Sequence, residues 1–156
     1  MSKKRKANQP FIRFAFLVYV ALMLWLLFGR FRGLDEGVSY EEALRQNVNF
    51  IPFFTIKNYL QVVLRHTNQY AYTHCFINLV GNVVLFVPAG WLIPAIWKNQ
   101  RNFLQFTATC LSCITIIELT QLLSLLGSFD VDDVILNMSG LWFGYLCYIL
   151  THLKRL

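Results

Sequence analysis

The sequence has 156 residues, of which 56% are hydrophobic and only 14% are charged. A soluble domain carries about 25% charged residues, and a soluble chain this short exposes too much surface to hide so large an apolar fraction. The net charge of +6 does not indicate nucleic-acid binding, because no basic patch is interleaved with aromatic side chains on one predicted face. Composition therefore excludes a soluble domain and predicts one membrane domain over residues 1–156.

A basic tail over residues 1–10 precedes the first of four apolar stretches, which are Phe11–Phe28, Phe76–Trp97, Phe103–Leu126 and Val134–Leu150. Each is close to the roughly 20 residues that an α-helix needs to cross a bilayer. None alternates strictly between apolar and polar residues, as a barrel strand would, so we predict an all-α, polytopic four-helix bundle. Bulky and charged residues follow the first stretch, which indicates a retained anchor rather than a cleaved signal peptide.

The basic residues predict the orientation of the bundle. With the N-terminus in the cytoplasm, nine of the 14 lysines and arginines lie on the cytoplasmic side and five on the outer side. The predicted outer loop over residues 127–133 contains no basic residue. Because lysine and arginine are enriched in cytoplasmic loops, we predict that both termini are cytoplasmic and that residues 29–75 lie outside.

The outer segment contains two short helical patterns. Ser39–Glu42 forms a capping box that opens one helix. Thr55 is a candidate cap for a second helix over residues 55–65. Its apolar face contains Ile56, Tyr59, Leu60, Val63 and Leu64, and its polar face contains Lys57, Asn58, Gln61 and Arg65. Such an amphipathic helix lies either on the outer membrane surface or against its own protein, and the pattern fits both.

Polar residues occur in or beside three of the apolar stretches: Asn78 and Asn82 in the second, Glu118 and Gln121 in the third, and Asp133 and Asn137 at the start of the fourth. A charged residue at the centre of a membrane helix costs at least about 2.5–3.5 kcal/mol on insertion scales, so it usually faces the interior of the bundle. A rise of 1.5 Å per residue places Asn82, Glu118 and Asn137 about 5–12 Å below the outer surface. The sequence therefore predicts a polar pocket in the outer leaflet.

Each of these polar residues serves either helix packing or a functional site, and the favoured role differs between them. Asn78 and Gln121 are typical of side chains that hydrogen-bond between membrane helices. Glu118 and Asp133 favour a functional site, because a buried carboxylate must be neutralised by a proton or a cation. The aspartates at 130, 132 and 133 offer hard oxygen ligands for a divalent cation. For Asp130 and Asp132 we favour solvated loop residues that cap the fourth helix, and we predict neither a metal site nor a cofactor.

Several blocks of this sequence together resemble the VanZ-like family of small bacterial membrane proteins. They are Asn49–Phe53, Asn78–Gly90, Glu118–Gln121 and Asp130–Gly140, followed by Gly144. The resemblance covers about residues 45–150. Family members often carry an arginine shortly before the aspartate block, where this chain has Gly127–Phe129, so no role of that arginine transfers.

The resemblance implies a multi-pass protein of the bacterial plasma membrane, associated through the founding member with low-level resistance to the glycopeptide teicoplanin. It implies no established reaction. The recurring polar positions of the family match Asn49, Asn82, Glu118, Gln121, Asp133 and Asn137. We take these six residues as a candidate binding site.

Three functions fit the sequence. The first is a binding protein that engages a lipid headgroup or a lipid-linked cell-wall precursor in the outer leaflet. The second is a membrane enzyme with Glu118 as acid or base and Asp133 orienting the substrate, although no nucleophile and base stand at recognisable spacing. The third is a structural accessory subunit. The expected partners are membrane lipids, with a lipid-linked precursor or a glycopeptide as further candidates, and not nucleic acid; the oligomeric state is left open.

Overall fold

The structure, a computed structural model, describes residues 9–29, 38–65 and 68–153. Its elements in chain order are α1 (Gln9–Phe28), α2 (Tyr40–Gln46), β1 (Val48–Asn49), α3 (Phe54–Arg65), α4 (Gln69–Ile96), a 3-10 turn (Lys98–Arg101), α5 (Phe103–Leu123), β2 (Phe129–Asp130) and α6 (Val131–Leu153). The predicted basic tail falls almost wholly outside the described residues.

Helices α1, α4, α5 and α6 are each long and apolar enough to cross a membrane. They correspond to the four predicted stretches, so the prediction of an all-α polytopic protein is confirmed. Helix α4 begins at Gln69, well before the apolar stretch, because the Asn68 side chain accepts hydrogen bonds from the Tyr70 and Ala71 amides and caps it there. Helix α5 ends at Leu123, and Leu125 then adopts the left-handed conformation with φ of 55°.

Hydrogen bonds define two ends of the bundle. At one end, Gln9 donates to the Ala95 carbonyl and Arg101 donates to the Pro94 carbonyl, which joins the start of α1 to the end of α4 and the 3-10 turn. We call this the basic end, since it also carries Lys98. At the opposite end, Gln121 donates to the carbonyl of Leu27. We call this the acidic end, because Asp130, Asp132 and Asp133 lie there at the start of α6.

Helices α4 and α6 approach each other through glycine residues. A Cβ atom added at any of three positions would overlap a backbone carbonyl of the facing helix: Gly90 on Leu141, Gly140 on Val83 and Gly144 on Val87. These three glycines therefore allow a close contact between the backbones of α4 and α6. Gly81 differs, because an added Cβ there would meet only the Ile77 side chain, 3.9 Å away. The close approach brings polar side chains of the two helices within hydrogen-bonding reach.

The outer segment is attached to the start of α6 by a short parallel pairing of β1 with β2, in which Asn49 is opposite Asp130. This pairing was not predicted, since a two-residue strand has no periodicity to detect. The predicted Ser39 cap is confirmed, because the Ser39 hydroxyl accepts a hydrogen bond from the Glu42 amide at 3.3 Å.

The apolar face of α3 is divided between two environments. Ile56, Tyr59 and Val63 are half-buried, whereas Leu60 and Leu64 are 47% and 74% exposed. The helix therefore packs against its own protein along one side and leaves a second apolar side free. Packing against the protein is thus confirmed for the half-buried part of the face, and contact with the membrane surface stays a prediction for the exposed part.

Candidate binding site at the acidic end

Asp132 holds the start of α3 in place. Its side chain is 0% exposed, and its two carboxylate oxygens accept hydrogen bonds from the backbone amides of Phe53 at 2.5 Å and Ile56 at 3.0 Å. These amides have no partner within the first turn of α3, and a negative charge at a helix N-terminus is favourable. Asp132 is therefore the cap of α3, and the predicted cap, Thr55, is wrong.

Asp130 accepts hydrogen bonds from side chains of the outer segment. Its carboxylate accepts a hydrogen bond from the Thr55 hydroxyl at 2.6 Å and another from the Asn49 amide at 3.2 Å. It also accepts the backbone amide of Asp132 at 2.8 Å, so it caps α6 as predicted. The expectation that Asp130 and Asp132 are solvated is wrong for both, because the segment from Asn49 to Ile56 folds over them and supplies neutral donors.

Asp133 connects α6 to α4. The side-chain amide of Asn82 donates to the Asp133 carboxylate at 2.6 Å, and both residues are half-buried. The glycine-mediated approach of the two helices brings these short side chains into contact. Asn78, one turn away on α4, lies instead within hydrogen-bonding distance of His74, at 3.3 Å.

Glu118 of α5 and Asn137 of α6 form a second, deeper pair. They are 3% and 2% exposed, and the Asn137 amide nitrogen donates to Glu118 Oε1 at 3.3 Å. Two acceptor atoms of this pair, Glu118 Oε2 and Asn137 Oδ1, are buried and have no hydrogen-bond partner among the described residues. Glu118 also lies within electrostatic range of Asp133.

The structure thus separates the six predicted site residues. Asn82, Glu118, Asp133 and Asn137 come together from three helices, and we call these four residues the polar cluster. Gln121 faces α1, where it donates to the Leu27 carbonyl at 3.0 Å. Asn49 belongs to the Asp130 group near the surface. Gln121 therefore has the inter-helix role that the sequence favoured for it.

The hydrogen-bond partners of the four carboxyl groups are all neutral within the described ranges: backbone amides, asparagine amides and a threonine hydroxyl. In the part of the chain that the structure describes, no three histidine, cysteine or acidic side chains are grouped to hold a metal ion. The aspartates at 130, 132 and 133 contact different partners. A proton on Glu118, or a donor from a bound molecule, would satisfy the two free acceptors.

Tyr59 of α3 is a site residue that the sequence did not single out. Burial, followed by the nearby charge of Asp133, raises the pKa of the Tyr59 hydroxyl, and a side-chain hydrogen bond with Asn78 opposes this change. The phenol therefore stays neutral and able to donate beside the cluster. Its place on an apolar helix face concealed this role, because tyrosine also fits such a face as a hydrophobic residue.

The fold and its buried acidic residues define a class, the small multi-pass membrane proteins with a polar cluster at one end of a helical bundle. The family model described as VanZ/LLP1 matches residues 16–152. The chain is also 31% identical to Protein VanZ of Enterococcus faecium over 135 residues, which cover 86% of this chain and 71% of that protein. The chain belongs to the VanZ/LLP1 family, and the resemblance extends into α1. No solved structure matches it.

Replacing Asp132 with alanine should loosen α3. The change leaves the Phe53 and Ile56 amides without their acceptor, which costs about 1–3 kcal/mol for a buried unsatisfied donor. We expect a lower melting temperature in detergent and faster trypsin cleavage after Lys57, within α3. Glu41→Ala, which removes an exposed carboxylate, is the matched control. Equal melting and cleavage for the two variants would show that Asp132 does not hold α3.

Proposed function

We propose that this protein engages a lipid headgroup, or the headgroup of a lipid-linked cell-wall precursor, through the polar cluster in the outer leaflet. The observation that supports this proposal is the pair of buried acceptors, Glu118 Oε2 and Asn137 Oδ1, without a partner among the described residues. Buried polar atoms in proteins are nearly always hydrogen-bonded, and in an apolar bundle an unpaired carboxyl group is especially costly. The presence of these unpaired acceptors therefore favours a role in binding a ligand or transferring a proton over a role in helix packing alone.

The chemistry of the cluster restricts what part of a headgroup it accepts. The two buried atoms of the cluster that lack a partner among the described residues are both acceptors, and Glu118 and Asp133 contribute carboxyl groups. A phosphate brings only further acceptors and negative charge, which such a site disfavours. An ammonium, a hydroxyl or an amide N–H supplies the missing donor. We therefore propose that the donor-bearing part of the headgroup enters the cluster and that the phosphate stays outside it.

The family relationship connects this binding to the cell envelope. The VanZ-like family is associated through its founding member with teicoplanin resistance, and we propose the same kind of role here, in tolerance to a glycopeptide. Protein VanZ of Enterococcus faecium aligns with 86% of this chain, and the match to the family model over residues 16–152 spans all four residues of the polar cluster. Engagement of an envelope lipid or precursor is one way in which a small membrane protein alters the surface that the drug meets.

We further propose that the protein lies in the bacterial plasma membrane with its basic end and both termini in the cytoplasm. Lys98 and Arg101 lie in the 3-10 turn of that end, and Arg13 lies near the start of α1. The loop before α6 contains only acidic charges. This asymmetry supports the orientation, because positively charged residues near helix ends favour the cytoplasmic side.

Labelling of intact cells tests the orientation. In a background with the four native cysteines replaced by serine, an impermeant maleimide should modify Gln61→Cys and Ser128→Cys but not Asn99→Cys. Disruption of the cells should make position 99 reactive, which controls for expression and exposure. Modification of position 99 in intact cells, with positions 61 and 128 protected, would reverse the proposed orientation.

Two conservative substitutions test the functional role of the cluster. Glu118→Gln keeps the shape of the side chain and adds an N–H donor beside Asn137 Oδ1, while Asp133→Asn removes the second carboxyl group. We expect both variants to melt within a few degrees of the native protein in detergent. We also expect cells that express either variant to become as susceptible to teicoplanin as cells without the protein. Glu41→Gln, at an exposed position, should keep the native phenotype.

The outcomes separate the alternatives. Unchanged tolerance in both variants, or tolerance and stability lost together, would assign the carboxyl groups to packing and contradict the proposal. Mass spectrometry of lipid extracts distinguishes binding from catalysis, since an enzyme acting through Glu118 and Asp133 would change the headgroup composition of the membrane. Binding alone predicts the same lipid composition in cells with the native protein and with Glu118→Gln.

A further inference from the structure

The segment that joins β1 to α3 presents a row of exposed apolar side chains. Phe50 and Ile51 are 72% and 62% exposed, and Phe53 and Phe54 are also more than half exposed. The Phe50 ring contacts the Phe129 ring, with centroids 5.5 Å apart, but most of its surface is free. Together with the exposed Leu60 and Leu64 of α3, these residues make up what we call the apolar rim. Patches of this kind mark contact surfaces.

The rim is held in its exposed position by polar contacts beneath it. The Ile51 amide donates to Asn49 Oδ1 at 3.0 Å, and the Phe53 amide donates to Asp132. Phe53 has a φ of 64°, a left-handed conformation that is unfavourable for a bulky side chain and persists only where the surroundings impose it. The exposure of the aromatic side chains is therefore built into the fold.

Helix α3 has three distinct sides. Tyr59, Val62 and Val63 are half-buried against the protein, and Leu60 and Leu64 form the exposed apolar side. The third side is polar and exposed, and contains Lys57, Asn58, Gln61 and Arg65. These three sides suit a helix that lies along a bilayer beside its own bundle. The half-buried side meets the protein, the apolar side meets acyl chains, and the polar side meets water, with its basic residues near the headgroup phosphates.

We infer that the apolar rim inserts into the headgroup–acyl boundary of the leaflet at the acidic end and fixes the depth of the bundle there. Lipid is the occupant because the rim is apolar and exposed like the surface of the spans, whose exposed side chains include Val84 and Leu123, and because basic residues on α3 are placed to meet headgroup phosphates. Asp130 and Asp132 join the rim to the first turn of α6 through Thr55, Phe53 and Ile56. The rim therefore holds the polar cluster just beneath the headgroups, whether or not the cluster binds one.

Spin-label accessibility measures this insertion directly. Labels are placed on Ile51→Cys, Leu64→Cys and Gln61→Cys, in protein reconstituted into phosphatidylcholine–phosphatidylglycerol vesicles, with the four native cysteines replaced. Labels at 51 and 64 should be reached mainly by molecular oxygen, and the label at 61, on the polar side of the same helix, mainly by a water-soluble nickel chelate. Nickel access at 51 and 64 equal to that at 61 would overturn the inference.

A photo-crosslinking residue identifies what covers the rim and leaves the native cysteines in place. Phe54→benzoylphenylalanine keeps an aromatic side chain at an exposed position, and the same substitution at Gln61 is the control. Illumination in vesicles should give a lipid adduct at position 54 and at least several-fold less at position 61. A crosslinked dimer at position 54 would assign the rim to contact between two copies of this chain, and equal lipid adducts at both positions would also contradict insertion.

Discussion

Buried carboxyl groups in an apolar bundle need hydrogen-bond donors, and this requirement shapes the acidic end of the molecule. Asp132 has no exposed surface and accepts two backbone amides at the start of α3. Asp130 accepts donors from Asn49 and Thr55. Among the described residues, these donors are neutral and come from a segment about 80 residues earlier in the chain. A carboxylate that is removed from water needs hydrogen-bond donors in place of its hydration. The contacts that supply these donors hold the outer segment against α6.

The close approach of α4 and α6 extends the same principle into the bundle. Glycines at 90, 140 and 144 let the two backbones come together, and the short Asn82 and Asp133 side chains then form a 2.6 Å hydrogen bond. One turn deeper, Asn137 reaches Glu118 on α5 but satisfies only one of its oxygens. The polar groups are therefore progressively less well paired from the surface inward. The least satisfied group is also among the most buried, which is why we place the function there.

The parts of the fold that follow from hydropathy were predictable. The four spans are long apolar runs, and the Ser39 cap followed from a local pattern. The polar cluster was also predictable in outline, because the depth of Asn82, Glu118 and Asn137 depends only on helix rise and direction. These features depend on interactions within one helix or on length alone.

The remaining features depend on which donors the tertiary fold brings to each acceptor. Periodicity places Asp132 at the start of α6, but it does not reveal that the backbone amides of Phe53 and Ile56 donate hydrogen bonds to its carboxylate. The same limit explains the incorrect Thr55 cap, the two-residue strand pairing and the neglect of Tyr59. It also explains why Gln121 and Asn49, grouped with the cluster by sequence, contact Leu27 and Asp130 instead.

The central claim is that the free acceptors of Glu118 and Asn137 recognise a donor-bearing headgroup. Its most direct test is the thermal stability of the native protein and of Glu118→Gln with added lipids that differ in headgroup donors. Phosphatidylethanolamine, phosphatidylglycerol and a lipid-linked cell-wall precursor carry donors, whereas phosphatidylcholine has none. We predict that at least one donor-bearing lipid raises the melting temperature of the native protein more than phosphatidylcholine does, and that Glu118→Gln abolishes this difference. Equal stabilisation by all four lipids, or a preference that survives in Glu118→Gln, would contradict the claim.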